Sequence, residues 1–295
     1  MRRIINAYLV ESQGRWMLVD CGLPWGPSLR ALGRALKAIG VPRGGLTYLV
    51  LTHRHPDHSG ATGPVQERWG GEVLLHPVEA AWRMPSPEVG RAWLTEQGVD
   101  DPALLERLSA PPRRPEEILP DSVSPLPERF TLGALTFETI LAPGHSWGHV
   151  MLREESRGWL LFADQVLTSP APNVWAYPGD PGDPLSAYLK SLAEYEDLPY
   201  SLLLPGHGAP GRGGWKEGCQ AIAAYHRAFA QRIFGLAQVC PQTTWEIMQQ
   251  AYPRWASEPG EVRFILAETL AALRYLASKG AVRLGADGRW EREGA

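Results

Sequence analysis

The sequence predicts an α+β fold in two parts: a strand-rich domain over residues 1–213 and a helical domain over 214–295. Three observations lead there. Apolar runs of strand length, closed by Gly or Pro, recur through the first part. The apolar residues then switch to helical spacing, as in Val262, Leu266, Leu270, Leu273 and Leu276. The last pattern is a pair of short strands around Ala286-Asp287-Gly288, a hairpin signature.

Taken in order, residues 4–10 are β-favouring, and 16–19 form a short apolar run that ends at Asp20. The polar stretch 11–15 turns between them at Gly14. Cys21-Gly22-Leu23-Pro24 breaks the second strand, and Leu29, Leu32, Leu36 and Ile39 then mark a helix that Gly40 closes. Residues 46–52 read as a strand buried on both faces, running straight into His53. A short helix over 61–69 and a strand over 72–75 follow. From 82 to 127 prolines crowd in and break the rhythm. Two short helices are expected there. One holds Val89, Trp93 and Leu94; the other is capped by Asp101 and holds Leu104, Leu105 and Leu108. This stretch reads as a helical insert on the first domain, either a lid over a substrate pocket or a surface addition.

Strands resume at 130–132, 135–141, 150–153 and 159–163. A helix covers 184–196 and a strand 201–204, and the glycines of 206–214 mark the domain boundary. Beyond it come a long helix over 215–239, a short one capped by Thr243 or Thr244 through residue 252, and a third over 261–279 with Gly280 as its C-cap. Strands at 281–284 and 289–293 close the chain. Helix, helix, helix, hairpin is the order of a winged-helix module.

Composition narrows the function classes. Hydrophobic residues make up 44% and charged residues 21% of the chain, so it can bury a core and is not a disordered polymer. The net charge of −3 gives no strong attraction for nucleic acid or an anionic membrane. No apolar run reaches the roughly 20 residues that span a bilayer. The N-terminus alternates with polar residues too early for a signal peptide. Cys21, Cys219 and Cys240 are too sparse for a disulfide framework, which fits a cytoplasmic protein.

The chemistry concentrates in Thr52-His53-Arg54-His55-Pro56-Asp57-His58, directly after a buried strand. In an extended segment, residues two apart point the same way, so His53 and His55 can grip one ion. Asp57 and His58 come as the chain turns into the next helix and can face a second. Imidazole and carboxylate are catalytic zinc ligands. Three more strand ends repeat the pattern: His145 after Pro143-Gly144, Asp164 after Phe162-Ala163, and His207 after Pro205-Gly206. Strand ends are where α/β sheets bind ligands. Asp20 is expected behind these ligands as a hydrogen-bonding support, and His149 either there or orienting a substrate. His76 and His226 read as structural or surface residues, and Trp147, Trp175 and Tyr177 as weak candidates for a pocket wall.

These residues resemble the metallo-β-lactamase superfamily. Its His-x-His-x-Asp-His motif is complete at 53–58, its downstream histidine, carboxylate and histidine appear in order at 145, 164 and 207, and Asp20-Cys21-Gly22 resembles its early Asp-x-Gly. The resemblance covers roughly residues 4–210 and implies a four-layer αββα sandwich with metals at one edge. It implies that His53, His55 and His145 bind one metal, that Asp57, His58 and His207 bind a second, and that Asp164 bridges them. The expected cofactors are two divalent ions, zinc first, with iron or manganese accepted by the same donors. A bridging hydroxide would be the nucleophile, with Asp57 as the catalytic residue that holds and later carries its proton.

The tail is similar to that of superfamily endoribonucleases carrying a C-terminal winged helix. The basic residues with which glyoxalase II holds glutathione have no match in it. Over 215–295 there are ten Lys and Arg against eight Asp and Glu, which is not a basic nucleic-acid face. Four readings follow. The first is a metal-dependent hydrolase of small esters, thioesters or related acyl compounds. The second is an endoribonuclease of single-stranded RNA with the same site. A one-iron persulfide dioxygenase and a non-catalytic regulator are the others, both disfavoured by the complete ligand set. The tail would serve for packing, for a homodimer contact or for RNA, and no membrane partner is expected.

Overall fold

The computed structural model describes residues 5–83, 85–109, 119–120, 122–167, 171–253 and 259–294. Residue 4 at the start of the expected first strand, and residues 110–118 of the insert, lie outside them. The chain divides into two compact units. The first comprises Met1–Arg83, Arg114–Pro172 and Tyr195–Cys219; the second comprises Met84–Arg113, Asn173–Glu194 and Gln220–Ala295.

The first unit carries both large sheets. Strands β1 (Tyr8–Ser12) and β2 (Arg15–Val19) form a hairpin across Gln13 and Gly14. Both turn residues have positive φ, 53° and 76°, the backbone a two-residue turn needs to match strand twist. Helix α1 (Gly26–Ile39) follows, ended by Gly40 in the left-handed conformation. Then come β3 (Leu46–Val50), α2 (Pro56–Ser59), α3 (Thr62–Trp69), β4 (Gly70–Leu75) and α4 (Pro77–Ala81). After α5 (Pro87–Glu96) and α6 (Pro102–Ser109), the short strand β5 (Ser124–Pro125) completes a sheet of order β1-β2-β3-β4-β5. Strands β6 (Arg129–Leu132), β7 (Leu135–Leu141), β8 (Val150–Glu154), β9 (Trp159–Ala163) and β10 (Leu202–Pro205) form the second sheet in the order β10-β9-β8-β7-β6.

Period-two alternation explains the layers. Met17, Val19, Val50 and Leu74 pack with Leu132, Phe137, Val150, Leu152 and Leu161, so the two sheets bury one face against each other. Their neighbours Leu18, Leu49, Val73 and Leu75 point the other way and pack with Leu36 of α1 and with Val65 and Trp69 of α3. On the second sheet, Phe162 meets Trp215 at a ring distance of 5.1 Å. The elements expected between residues 16 and 75, and from 130 to 163, appear within a few residues of their expected bounds. Helices α2 and α4 and strand β5 were not anticipated.

The second unit gathers α5 and α6, most of α7 (Pro184–Tyr195), most of α8 (Trp215–Ala237), α9 (Thr244–Ala251), α10 (Pro259–Ser278) and the hairpin β11 (Val282–Leu284) and β12 (Trp290–Arg292). Thr243 caps α9 in a reciprocal capping box with Glu246. Of the stretch read as an insert on the first domain, residues 85–109 group here with the tail, while residues 122–127 stay in the first unit. Gln97 is the tie: its carbonyl accepts from Trp245 N–H at 2.9 Å and its side chain from Thr244 Oγ1 at 2.8 Å. The segment 173–194 joins the same unit, with Trp175 stacked on Phe264 at 4.7 Å. Chain order alone does not reveal that three segments separated in sequence share one core. Among the described residues, no helix is long and apolar enough to cross a membrane.

Candidate metal centre

The site forms where strand ends of the first unit converge. Beyond β3, Leu51 and Thr52 continue the chain to His53, which is fully buried. Beyond β2, Asp20 takes a left-handed φ of 57°, which an Asp tolerates better than most residues. Its carboxylate accepts the Thr52 N–H at 2.9 Å and the Thr52 hydroxyl at 2.9 and 3.1 Å. The Thr52 oxygen lies 3.0 Å from His53 Nδ1 and, having given its proton to Asp20, accepts there. Asp20 Oδ2 also accepts from His58 Nδ1 at 2.8 Å. Both rings therefore carry their proton on Nδ1 and turn Nε2 toward the centre.

Around that centre, His53, His55 and His145 form one group of donors. His53, His58 and Asp164 form a second group, and Asp57, His58 and His207 a third; within each the donor atoms lie within 4.8 Å of one another. His53 Nε2 and His55 Nδ1 are 3.0 Å apart. His58 Nε2 stands 3.4 Å from Asp164 Oδ1 and 4.0 Å from Asp57 Oδ2. Asp164 Oδ2 is 3.6 Å from His145 Nε2 and 3.5 Å from His207 Nε2, and His207 Nε2 is 3.4 Å from Asp57 Oδ2. Ligands about 2.1 Å from a tetrahedral ion stand about 3.4 Å from one another, so these separations suit donors sharing an ion. His58 Nε2 and Asp164 Oδ1 are buried and have no hydrogen-bond partner among the described residues. A divalent ion fits such a donor set.

The electrostatics agree. Burial, then the neighbouring rings, hold His53 and His149 well below the ordinary imidazole range, and His55 at about 3, so they stay neutral and able to donate a lone pair. Burial would raise Asp57 and Asp164, but His207 and His58 hold both below the ordinary carboxylate range. Burial would likewise lower His58 and His207. Their carboxylate neighbours instead raise His58 well above its usual range and His207 to about 9. Two ionised carboxylates thus hold positive charge between them. His53, His58, His145 and Asp164 are buried, while the Asp57 side chain is 37% exposed.

The seven residues expected as ligands converge in these overlapping groups, and Asp20 and His149 each hydrogen-bond to a member of the set. His149 Nε2 accepts the Asp164 N–H at 3.2 Å. Gly206 is required by close approach: an added Cβ would collide with Asp164 Oδ1 and lie 2.8 Å from His58 Cε1. His76 caps α4, accepting from Val78 N–H at 3.3 Å, and His226 packs edge-on to Tyr188. Trp147 stays in the first unit, whereas Trp175 and Tyr177 belong to the second. Sequence reasoning missed Glu79 and Arg54. Glu79 is buried on α4 and accepts main-chain N–H groups of Arg54 at 3.0 Å and Gly148 at 2.7 Å. Its one signal was position, since His76-Pro77 opens a helix directly after the apolar end of β4.

The family model described as "Metallo-beta-lactamase superfamily" matches residues 1–207. Among curated relatives, the probable metallo-hydrolase YqjP of Bacillus subtilis (strain 168) is 25% identical over 298 residues, covering 94% of this chain and 89% of the relative. A hydroxyacylglutathione hydrolase of Anaeromyxobacter dehalogenans (strain 2CP-C) is 25% identical over 287 residues, covering 92% and 94%. Among solved structures, the metallo-beta-lactamase family protein TTHA1429 from Thermus thermophilus superposes with a TM-score of 0.82 at 29% identity, covering 98% of this chain and 93% of that one.

Proposed function

The chain belongs to the metallo-beta-lactamase superfamily, and from that premise we propose that it is a two-metal hydrolase of small thioesters and esters. His53, His55 and His145 would hold one divalent ion, and Asp57, His58 and His207 the other, with Asp164 between them. The observation that carries this reading is Asp164 Oδ2, which stands 3.6 Å from an imidazole nitrogen of one set and 3.5 Å from one of the other. Two bound divalent cations would supply Lewis acidity, making water a nucleophile at neutral pH and polarising the acyl oxygen. Zinc is the expected ion. Asp57 is half-buried, with Oδ2 between His207 and His58, a position from which it can hold a proton and pass it to a leaving thiolate or alkoxide. Asp20 and Thr52 keep His53 and His58 in the tautomer that presents Nε2.

The acyl class is favoured over RNA by two supports. The likeness to a hydroxyacylglutathione hydrolase runs through nearly the whole of both chains, whereas that to a ribonuclease Z of Mycobacterium avium (strain 104) spans 83 residues. The tail has no strongly basic balance. We read the tail as winged-helix-like and as a packing module. The order α8, α9, α10, β11, β12 supports this, as does the bridge between Gln242, ahead of α9, and Trp290 of β12.

The test is thiol release from a panel of glutathione and coenzyme A thioesters, run beside cleavage of a labelled single-stranded RNA. Thiol release that stops with chelator and in Asp57→Asn is the expected result. RNA cleavage with the same two sensitivities, and no thiol release, would move the chain to the nuclease class.

A further inference from the structure

Glu79 lies outside the ligand set, yet its carboxylate touches both loops that carry the first group of ligands. Oε2 accepts the N–H of Arg54, the residue between His53 and His55, at 3.0 Å. Oε1 accepts the N–H of Gly148, three residues beyond His145, at 2.7 Å. The residue is 2% exposed. Burying a carboxyl is costly unless hydrogen bonds offset the lost hydration, and here both of these bonds come from main-chain groups of ligand-bearing loops.

The surroundings are fitted to this arrangement. Arg54 is secured along its length: its carbonyl accepts from Ser59 Oγ at 2.8 Å, and its guanidinium donates to Trp82 O at 2.7 Å and lies 4.1 Å over the Trp82 ring. Trp82 is the C-cap of α4. Gly148 seats directly on the same helix, and an added Cβ there would lie 2.7 Å from Glu79 Cγ and 2.9 Å from its backbone nitrogen. At their roots the two loops are also tied by Val150 N–H to Thr52 O at 3.0 Å. Glu79 adds a second tie farther out, and two ties stop the loops from pivoting about one.

We propose that Glu79 is a positioning residue that sets His145 against His53 and His55, and so governs affinity for the first metal alone. The inference rests on the two-metal reading. In the other set, His58 is held by a different partner, Asp20.

The experiment titrates zinc into metal-free protein against a chromophoric chelator, with thermal unfolding of each metal-free variant alongside. Glu79→Gln keeps the shape but has one acceptor oxygen for two N–H donors. It should weaken one of two zinc equivalents by about 10- to 100-fold, the usual effect of removing a group behind a ligand. In a His207→Ala background the remaining equivalent should weaken by that factor; in His145→Ala the substitution should change nothing. Gly148→Ala, which breaks the same contact from the other side, should reproduce the pattern. Unchanged binding in Glu79→Gln, or equal weakening of both equivalents, overturns the proposal. A parent protein that binds no zinc overturns the two-metal reading instead, so the two failures are distinguishable.

Discussion

Asp20→Asn separates orientation of the ligands from mere occupancy of space. Asn fills the same volume and tolerates the left-handed φ of 57°, so the backbone has no reason to move. Oδ1 of Asp20 accepts the Thr52 N–H at 2.9 Å, and only an oxygen can stay there. The new amide NH2 must therefore face His58 Nδ1, at the position of a 2.8 Å contact. To accept from that amide, His58 must shift its proton to Nε2, which removes the lone pair offered to the metal. The Thr52 hydroxyl loses its 2.9 Å contact to Oδ2 but keeps Oδ1 as acceptor at 3.1 Å, so it can still accept from His53. A hydrogen bond to a charged group is worth about 1.5–3 kcal/mol, so the second zinc equivalent should bind about 10- to 100-fold more weakly, since about 1.4 kcal/mol is a factor of ten. The first equivalent should be spared. Competition titration of zinc, with His145→Ala and His207→Ala backgrounds to tell the equivalents apart, measures both. Wild-type affinity at both equivalents, or loss confined to the His53 set, would refute the tautomer argument.

Two further outcomes follow from packing and burial. Gly206→Ala drives a methyl into Asp164 and His58, and overpacking of this kind costs roughly 1–3 kcal/mol; metal-free protein should melt lower and retain less zinc through a desalting column. In the second unit, burial outweighs the Tyr252 hydroxyl and Arg232 and raises Glu268 from 4.5 to about 7. Its folded form holds a proton that the unfolded chain releases, so its effect on stability is absent below pH 4.5 and becomes unfavourable as pH rises toward 7. Glu268→Gln should thus unfold like the parent at about pH 4.5 and gain up to about 3 kcal/mol by about pH 8, less whatever solvent screens at this half-buried site. A gain independent of pH would show that titration of Glu268 is not the cause.

Much of the first unit was legible because its central strands are buried on both faces and read as continuous apolar runs. Leu46 through Thr52 is such a run, and β3 with its extension occupies it. The candidate ligands were legible for a related reason. A metal-capable residue after one apolar strand can be a helix cap or a packed side chain, but four such strand ends in one sequence are hard to assign to structure alone. The hairpin at Gln13 and Gly14 and the capping box at Thr243 are likewise local, with all their partners within a few residues. The grouping of residues 85–109 with the tail was not legible. Its ties, such as Gln97 to Trp245, join residues far apart in sequence, and neither partner carries a mark of the other.

Glu79 shows why the residues behind a ligand are harder to read than the ligand itself. A ligand must be one of a few residue types at one of a few strand ends, so type and position restrict it together. A support must only place an acceptor near a main-chain N–H, and any nearby Asp, Glu, Asn or Gln has the required atom. What singles out Glu79 is visible only in three dimensions: a carboxyl sealed from water against the main chain of Arg54 and Gly148, and a glycine whose missing Cβ leaves it room. Asp20 was found from sequence because it lies at a strand end, where the ligands also lie. Glu79 lies within a five-residue helix beyond such an end. The strand end therefore has to be followed into the next turn before the supports can be read as the ligands are.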